Sequence, residues 1–316
     1  MMAVCLDGWC ADGDRSFTIV AVGHCMSVGS ALSIAMIVLA PTDPSSSQQL
    51  VLAIAHHFHI SVHAVDQPLP LGKRGTAMLC FGSTLSCADY QQRYDVAQQQ
   101  GLHLLNNAAQ HQLAQEFDRA YPYLAHLTPQ SWVVSEMEEL ESILPQLRFP
   151  VFVRGAVGAL RAQGWLACVA TGPQELRTRV AVLLGELTSW SRDRAIVREL
   201  VPIYGAELEF WNPEVTRWPM GREFRVVCYH QQPLSYGYLW PGDHPRYLSV
   251  AEEEAMLAIA LQASSRLDVP FLAVDVAQLE GGEWIVMDVN DPQCCDLSQQ
   301  PLIQFWQALT RCIDRP

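Results

Sequence analysis

Apolar segments alternate with amphipathic helical segments through the first third of the chain. Strands are predicted at Ile34–Leu39, Ile60–Val65, Thr76–Phe81 and Leu102–Leu105, and helices at Gln48–Phe58, Ala88–Gln100 and Asn106–Arg119. Strands that alternate with helices, with turn-forming residues between them, are typical of βαβ units. The pattern therefore predicts a parallel α/β sheet of four or five strands over residues 34–120.

The pattern changes near Leu127, where short strands that suit hairpins become frequent. Strands are predicted at Ser131–Val134, Phe149–Val153, Gly164–Ala170 and Ala195–Val201, with one helix capped by Ser135 and another at Gln174–Thr188. In the last third, strands are predicted at Glu223–Tyr229, Leu234–Leu239, Ala273–Leu279 and Trp284–Val289, with a helix at Ala251–Arg266 and a terminal helix from Leu302. This part of the chain has α+β character.

The composition is that of a globular protein with an acidic charge balance. Of 316 residues, 50% are hydrophobic and 17% are charged, which allows a sizeable core and excludes a disordered or fibrous protein. The net charge of −13 argues against duplex DNA or anionic lipid as the main partner. The ten cysteines are scattered without a CxxC spacing, so we predict reduced thiols and a cytoplasmic location.

The segment from Phe17 to Ala40 is long enough for a membrane span. Its glycines and serines, and the lack of a basic cluster before it, argue against that interpretation. A signal peptide is also disfavoured, because Asp7, Asp12 and Asp14 stand where positive charge is expected. We interpret residues 1–30 as an extension outside the fold; translated upstream sequence before Met36 is the alternative.

The segment from residue 273 to residue 291 carries the strongest chemical signal. Two apolar strands flank a turn that contains two glycines, which predicts a β-hairpin. Because side chains alternate between the faces of a strand, Asp288 and Asn290 share a face, and Asp275 can lie across from them. Two carboxylates and an amide oxygen suit Mg²⁺ with phosphate as a further ligand. Acidic decoration of an edge strand is the alternative, which we favour for a single Asp but not for this set of three.

Arginines occur near the ends of two predicted strands. Arg222 and Arg225 lie near the start of an apolar strand, where they can hold a carboxylate or a phosphate in bidentate fashion. Ion pairs with Glu223 or Glu199 are the alternative. Arg154 follows a buried strand and precedes glycines, a place that suits contact with phosphate oxygens.

In this order and spacing, the segments resemble the ATP-grasp superfamily. The matching segments are FPVFVR, AIVRELVPI, GREFRVV and AVDVAQLEGGEWIVMDVND. The segments FGSTLSCADYQQRYDVAQQQGLHLLNN and YPYLAHLTPQS resemble more narrowly one clade, named for an arginine–lysine exchange at a nucleotide-binding position. Arg154 is the residue that fits this exchange. The likeness covers roughly residues 34–300.

The resemblance implies a fold class and a division into domains. The class is α/β, with α+β character in the C-terminal part, in an ATP-grasp fold. Residues 31–128 would form an N-terminal α/β domain with a parallel sheet, and residues 129–201 a small lid subdomain. Residues 202–316 would form a larger, mainly antiparallel subdomain with the metal hairpin.

The resemblance also implies roles for particular residues. Arg154 would hold ATP phosphates, with Arg119 as a second phosphate contact. The adenine pocket would be lined by Glu199, Leu200 and Val201. The ribose would be reached by Glu207 or Glu209. One or two Mg²⁺ ions, with Mn²⁺ as an alternative, would be bound by Asp275, Asp288 and Asn290. Arg225 with Arg222 would stabilise the transferred phosphoryl group or the acyl substrate. Two features depart from the family pattern. Asp288 stands where glutamate is usual, and the loop Gly155–Arg161 is poorer in Gly and Ser.

The function that the resemblance implies is ATP-dependent ligation of a carboxylate to an amine through an acyl phosphate. An ATP-grasp phosphotransferase and a non-catalytic nucleotide-binding or interaction protein are the alternatives. Small-molecule or peptide carboxylates and amines are the expected substrates. Nucleic acid and membrane are not expected partners, and the sequence leaves a homodimer open.

Overall fold

The computed structural model describes residues 36–67, 75–159, 164–185, 188–206, 219–240 and 247–314. All of these residues belong to one compact unit, Ile34–Pro316. The extension predicted over residues 1–30 lies outside the described residues, as do Glu207, Glu209 and Arg161.

The first sheet is parallel and confirms the βαβ pattern. Its strands are β1 (Ile37–Ala40), β2 (Ser61–Ala64), β3 (Gly75–Leu79) and β4 (Leu102–Leu104), in the order β2-β1-β3-β4. The connecting helices are α1 (Ser46–His57) and α2 (Cys87–Gln99). Ser45 and Ser86 cap these helices, because each hydroxyl accepts a hydrogen bond from a backbone N–H of the first turn.

The helix predicted over Asn106–Arg119 is in fact two helices. They are α3 (Ala108–Gln115) and α4 (Phe117–Leu124). Glu116 separates them with an extended backbone, φ −101° and ψ 104°. Its buried carboxylate accepts hydrogen bonds from Arg119, Gln112 and Cys87. These side-chain contacts hold the break, which no glycine or proline at this position marks in the sequence.

The second sheet is antiparallel. Its strands are β5 (Ser131–Val134), β6 (Val151–Gly155), β7 (Val169–Ala170) and β8 (Ala195–Glu199), in the order β5-β8-β6-β7. Helices α5 (Met137–Ile143), α6 (Pro173–Gly185) and α7 (Thr188–Ser191) accompany it. The strand predicted at Gly164–Ala170 is shorter than expected, because Trp165–Cys168 forms a 3₁₀ helix.

The third sheet is also antiparallel and contains the predicted hairpin. Its strands are β9 (Glu223–Tyr229), β10 (Gln232–Tyr238), β11 (Phe271–Gln278) and β12 (Trp284–Asn290), in the order β10-β9-β11-β12. Helices α8 (Val250–Leu267) and α9 (Leu302–Ile313) complete this part. Trp306 of α9 is fully buried and donates to the carbonyl of Val51 in α1. Helix α9 thereby joins the first sheet to the third in one apolar core.

None of the helices in the described ranges combines the length and the apolar character that a membrane span needs. The seven cysteines within the described ranges are all free thiols.

Candidate active site

A cavity of ≈ 420 Å³ lies between the second and third sheets. Strands β6 and β8 supply one wall, and β9, β11 and β12 supply the other. Its polar and charged lining residues are Thr84, Arg154, Arg198, Glu199, Glu223, Arg225, Asp275, Asp288 and Asn290. Its apolar lining includes Phe152, Trp165, Trp190, Leu200, Val201, Ile203, Leu239 and Met287. The cavity therefore combines an apolar surface with a small number of charged groups, as ligand sites commonly do.

Arg225, Asp275 and Asp288 form one row across three neighbouring strands. Arg225 of β9 is the register partner of Asp275 of β11, which in turn is paired with Asp288 of β12. Residues that lie directly opposite on adjacent strands point to the same face of a sheet. The row therefore brings two carboxylates and a guanidinium to the cavity wall.

The guanidinium of Arg225 holds Asp275 in a bidentate ion pair. Its Nε lies 2.7 Å from Oδ1 of Asp275, and its Nη2 lies 2.8 Å from Oδ2. Burial is the largest single influence and lowers the pKa of Arg225. The charge and hydrogen bonds of Asp275, together with Cys295 and Asp288, outweigh it, so the pKa is raised above its ordinary value. Arg225 is therefore held as a cation at the cavity wall.

Asp288 forms an ion pair with Arg154 of the opposite sheet. Nη1 of Arg154, at the end of β6, lies 2.8 Å from Oδ2 of Asp288. The Arg154 side chain is 5% exposed and that of Asp288 is 19% exposed, so the aspartate is the more accessible partner. This ion pair joins the two walls of the cavity.

The three predicted metal ligands lie together. The amide nitrogen of Asn290 lies 3.5 Å from Oδ2 of Asp275, and Asp275 and Asp288 are paired across the hairpin. Within the described ranges, no group of three or more His, Cys, Asp or Glu side chains is placed to hold a metal ion, so an ion bound here would need the amide oxygen of Asn290 in addition to the two carboxylates. Mg²⁺ is commonly held by one or two carboxylates together with substrate phosphates and water. The residues present fit Mg²⁺ bound together with a phosphate group.

The segment that follows β8 forms part of the cavity wall. Glu199, Leu200 and Val201 all line the cavity. The backbone N–H of Glu199 donates to the carbonyl of Gln130, 2.8 Å away, which fixes the point where the chain leaves the sheet. This places the predicted adenine-binding segment beside the charged row.

Arg222 and Arg119 are not among the residues that line the cavity. Arg222 donates to the side chains of Glu252 and Gln278 and to the carbonyl of Tyr247. It is separated from Arg225 by an odd number of positions, and residues so spaced along an extended chain point to opposite faces. The side chain of Arg119, on α4, is 47% exposed and pairs with Glu116.

Arg198 of β8 also lines the cavity, and the sequence patterns above assigned it no role. It is buried, and its Nη1 donates to the carbonyl of Met287 at 2.6 Å. Its Nη2 and Nε donate to the hydroxyls of Thr128 and Ser131 at 3.0 and 3.2 Å. Burial, and after it the positive charge of Arg154, lower the pKa of Arg198 to about 9. An arginine within the apolar segment AIVRE was the one sequence signal for such a residue.

Backbone hydrogen bonds fix the loop that follows β6. The N–H of Gly155 donates to the carbonyl of Gly158, and the N–H of Val157 donates to the carbonyl of Trp190. A Cβ atom at Gly155 would lie 2.4 Å from that same Trp190 carbonyl oxygen, so only glycine fits there. The N–H of Phe117 donates to the carbonyl of Ala156 at 2.8 Å, which ties the loop to α4.

The chain matches a family model for the ATP-grasp domain, the third family of the arginine–lysine exchange clade, over residues 148–309, about half of its length. It therefore belongs to this family of ATP-grasp domains, which confirms the resemblance drawn from the hairpin and the preceding strands. The match includes Arg154, Arg198, Arg225 and the whole hairpin. A search of curated protein sequences finds no match.

Solved structures of low sequence identity share the fold. A RimK domain ATP-grasp protein from Sphaerobacter thermophilus aligns over 89% of this chain and 96% of its own, with a TM-score of 0.52 and 14% identity. The D-alanine–D-alanine ligase from Bacillus anthracis, complexed with ATP, aligns over 81% and 86%, with a TM-score of 0.53 and 13% identity. D-alanyl-alanine synthetase A from Vibrio cholerae aligns over 89% and 98%, with a TM-score of 0.58 and 11% identity. These similarities confirm the predicted fold class.

Proposed function

We propose that the protein is an ATP-dependent carboxylate–amine ligase that uses Mg²⁺, with Mn²⁺ as an alternative ion. One observation carries the proposal, namely the row of Arg225, Asp275 and Asp288, with Asn290 beside it and Arg154 facing it across the cavity. Membership of an ATP-grasp family supports ATP as one substrate. The ATP complex of a ligase with a similar fold adds support.

In the proposed reaction, a carboxylate oxygen of the first substrate bonds to the γ-phosphorus of ATP as the bond from that phosphorus to the ADP oxygen breaks. This step gives an acyl phosphate and ADP. The amine nitrogen of the second substrate then attacks the acyl carbon, and phosphate leaves with the bonding electron pair. Loss of a proton from nitrogen completes an amide or peptide bond. Mg²⁺, when bound, neutralises charge on the phosphates.

The residues of the cavity divide this work. Asp275, Asp288 and Asn290 hold the ion, and Arg154 contacts the phosphates. Arg225 stabilises the transferred phosphoryl group or orients the acyl substrate, since a fixed cation is most effective where negative charge develops. The Glu199–Val201 segment takes the adenine.

The first sheet contributes to the same cavity through Thr84, which lies in the loop after β3. Open parallel sheets bind ligands beyond the carboxyl ends of their strands. We therefore assign the substrate that accepts the phosphoryl group to the side of the cavity that Thr84 lines. Small carboxylates or peptides and amines are the proposed substrates, and the free thiols support a cytoplasmic site of action.

The first test is a calorimetric titration of ATP with Mg²⁺ into the wild-type protein and the Asp288→Ala/Asn290→Ala variant. We expect Mg²⁺-dependent binding in the wild type and its loss in the variant. Asp43→Ala, at an exposed position in the loop after β1, is the control and should bind as the wild type does. Absence of ATP binding to the wild type at millimolar concentration contradicts the proposal.

Product analysis separates the ligase from its alternatives. Pools of carboxylic acids and amines are incubated with ATP, and ADP, free phosphate and phosphorylated substrate are measured. ADP with free phosphate, formed only when acid and amine are both present, supports ligation. A stable phosphorylated product indicates a phosphotransferase, and ATP binding without turnover across the pools indicates a non-catalytic nucleotide-binding protein.

A further inference from the structure

The guanidinium groups of Arg154 and Arg198 both line the cavity, and both lie over the ring of Phe117. Arg154 pairs with Asp288. Arg198 pairs with no carboxylate among the residues that the structure describes, and its three hydrogen bonds go to a carbonyl and two hydroxyls. A guanidinium has five N–H donors, so two N–H groups of Arg198 remain after these bonds.

Arg198 is thus buried without an ion-pair partner of its own among the described residues. Burying a cation without a counterion is costly, and a second cation nearby adds to the cost. The lowered pKa of Arg198 has these two causes, burial first and Arg154 second. A bound anion relieves both.

Phe117 holds the two guanidiniums in place. Its ring is 1% exposed, and the central carbons of the Arg198 and Arg154 guanidiniums lie 4.2 and 5.3 Å from the ring centre. Cations at such distances are attracted by the ring. The Phe117 N–H also donates to the carbonyl of Ala156. One residue thus orients both arginines and the loop that follows β6.

The described residues contain no lysine, since the only lysine of the chain, Lys73, lies outside them. The remaining predicted phosphate contact, Arg119, is directed to Glu116 and does not line the cavity. Among the described residues, the cations that line the cavity are Arg154, Arg198 and Arg225, and Asp275 already holds Arg225 in a bidentate pair.

We infer that Arg198 and Arg154, set on the ring of Phe117, form a paired anion site that takes the polyphosphate chain of the nucleotide. Arg198 is a binding residue in this assignment and Phe117 a positioning residue. The inference rests on the proposed function, because it deepens the account of the same cavity.

The test compares ATP, adenosine and inorganic triphosphate by calorimetry on full-length variants. Arg198→Met should raise the Kd for ATP about 10- to 100-fold, the effect of removing a charged hydrogen-bonding group from a phosphate site. The Kd for adenosine should change less than twofold, because adenosine has no phosphate. Arg177→Met is the matched control, since Arg177 of α6 forms an exposed ion pair with Glu141 of α5. It should leave both constants unchanged.

Further variants separate binding from a structural role. Arg198→Lys keeps the charge and should give an intermediate Kd for ATP. Phe117→Leu should raise the Kd for ATP more than the Kd for adenosine. Phe117→Tyr should keep the Kd for ATP near the wild-type value, because it retains the ring. The inference is overturned if the variants weaken the binding of ATP and of adenosine equally, or if they weaken the binding of neither. If Arg198→Met does not fold, Arg198→Lys and the two Phe117 variants decide by the same comparison.

Binding of ATP and inorganic triphosphate to the wild-type protein distinguishes this inference from the proposed function. Competition of inorganic triphosphate with ATP supports the anion site, and its failure to compete at millimolar concentration contradicts it. ATP binding that is unaffected by Arg198→Met overturns the anion site and leaves the proposed function standing. Triphosphate binding without ATP binding supports an anion site but overturns its assignment to the nucleotide, together with the proposed function.

Discussion

His111 and Asp291 form a fully buried pair, with 2.9 Å between Nδ1 of the imidazole and Oδ2 of the carboxylate. His111 lies on α3 beside the first sheet, and Asp291 directly follows Asn290, the last residue of β12. The ring of Tyr90 stacks on the imidazole with 3.8 Å between ring centres. Gln293 donates to both Tyr90 and Asp291. This polar network fastens the end of the hairpin to the first sheet.

Removal of the imidazole should therefore destabilise the fold. His111→Ala leaves the Asp291 carboxylate buried without this partner and opens space beside Tyr90, so we expect a loss of about 3 kcal/mol in the free energy of unfolding, measured by urea denaturation. His111→Asn keeps a donor near the position of Nδ1 and should recover part of the loss. His103→Ala, at an exposed position of β4, should change stability by less than about 0.5 kcal/mol. A loss at His111 no larger than that of the control contradicts the prediction.

Gly155 provides a steric test of the loop after β6. Gly155→Ala would place Cβ 2.4 Å from the carbonyl oxygen of Trp190, where backbone must move. We expect a loss of about 1–3 kcal/mol in the free energy of unfolding, the usual cost of overpacking, and weaker ATP binding. Gly172→Ala is the control, because a Cβ there meets nothing within 4 Å. If Gly155→Ala and Gly172→Ala have similar free energies of unfolding in urea and similar Kd values for ATP, the loop accommodates the added Cβ atom and the prediction is wrong.

The sequence predicted the hairpin correctly because the required information is local. Alternation along two apolar strands, a glycine turn and the two-residue step from Asp288 to Asn290 determine which side chains share a face. The observed pairing of Asp275 with Asp288 also depends on a one-residue shift of register between Asp275 and Val276, because a regular count from the Gln278–Trp284 pair would place Asp275 opposite Met287. The class of fold could be predicted for the same reason.

The features that the sequence did not reveal depend on contacts between distant segments. Arg198 is held by Thr128 and Met287, which lie far from it along the chain, so nothing near position 198 indicates its partners. The break at Glu116 depends on Cys87 of another helix. The sequence does contain the information that separates Arg222 from Arg225, because two residues three positions apart on an extended segment point to opposite faces.

Arg222 and Arg225 should respond differently to the same substitution. Arg225→Met removes the partner of Asp275 in the cavity and should lower turnover at least about 100-fold. Arg222→Met removes contacts to Glu252 and Gln278 outside the cavity lining. It should lower the melting temperature and leave the Kd for ATP within about twofold. A loss of turnover in Arg222→Met at unchanged melting temperature would restore the catalytic role that the resemblance implied for this residue.

Glu252 makes the stability of this contact depend on pH. The pKa of Glu252 is lowered from 4.5 to about 2, chiefly because Arg222 donates to it and next because Ser249 does. A carboxylate with a lowered pKa in the folded state stabilises the fold above its ordinary pKa, and this stabilisation is lost as the pH falls from 4.5 toward 2. The melting temperature of Glu252→Gln should therefore lie below that of the wild type by a constant amount above about pH 5, and the gap should narrow below that pH. Glu254→Gln, at an exposed position of the same helix, should follow the wild type throughout. A gap that stays constant down to about pH 3 would mean that Arg222 does not hold Glu252 in its charged form.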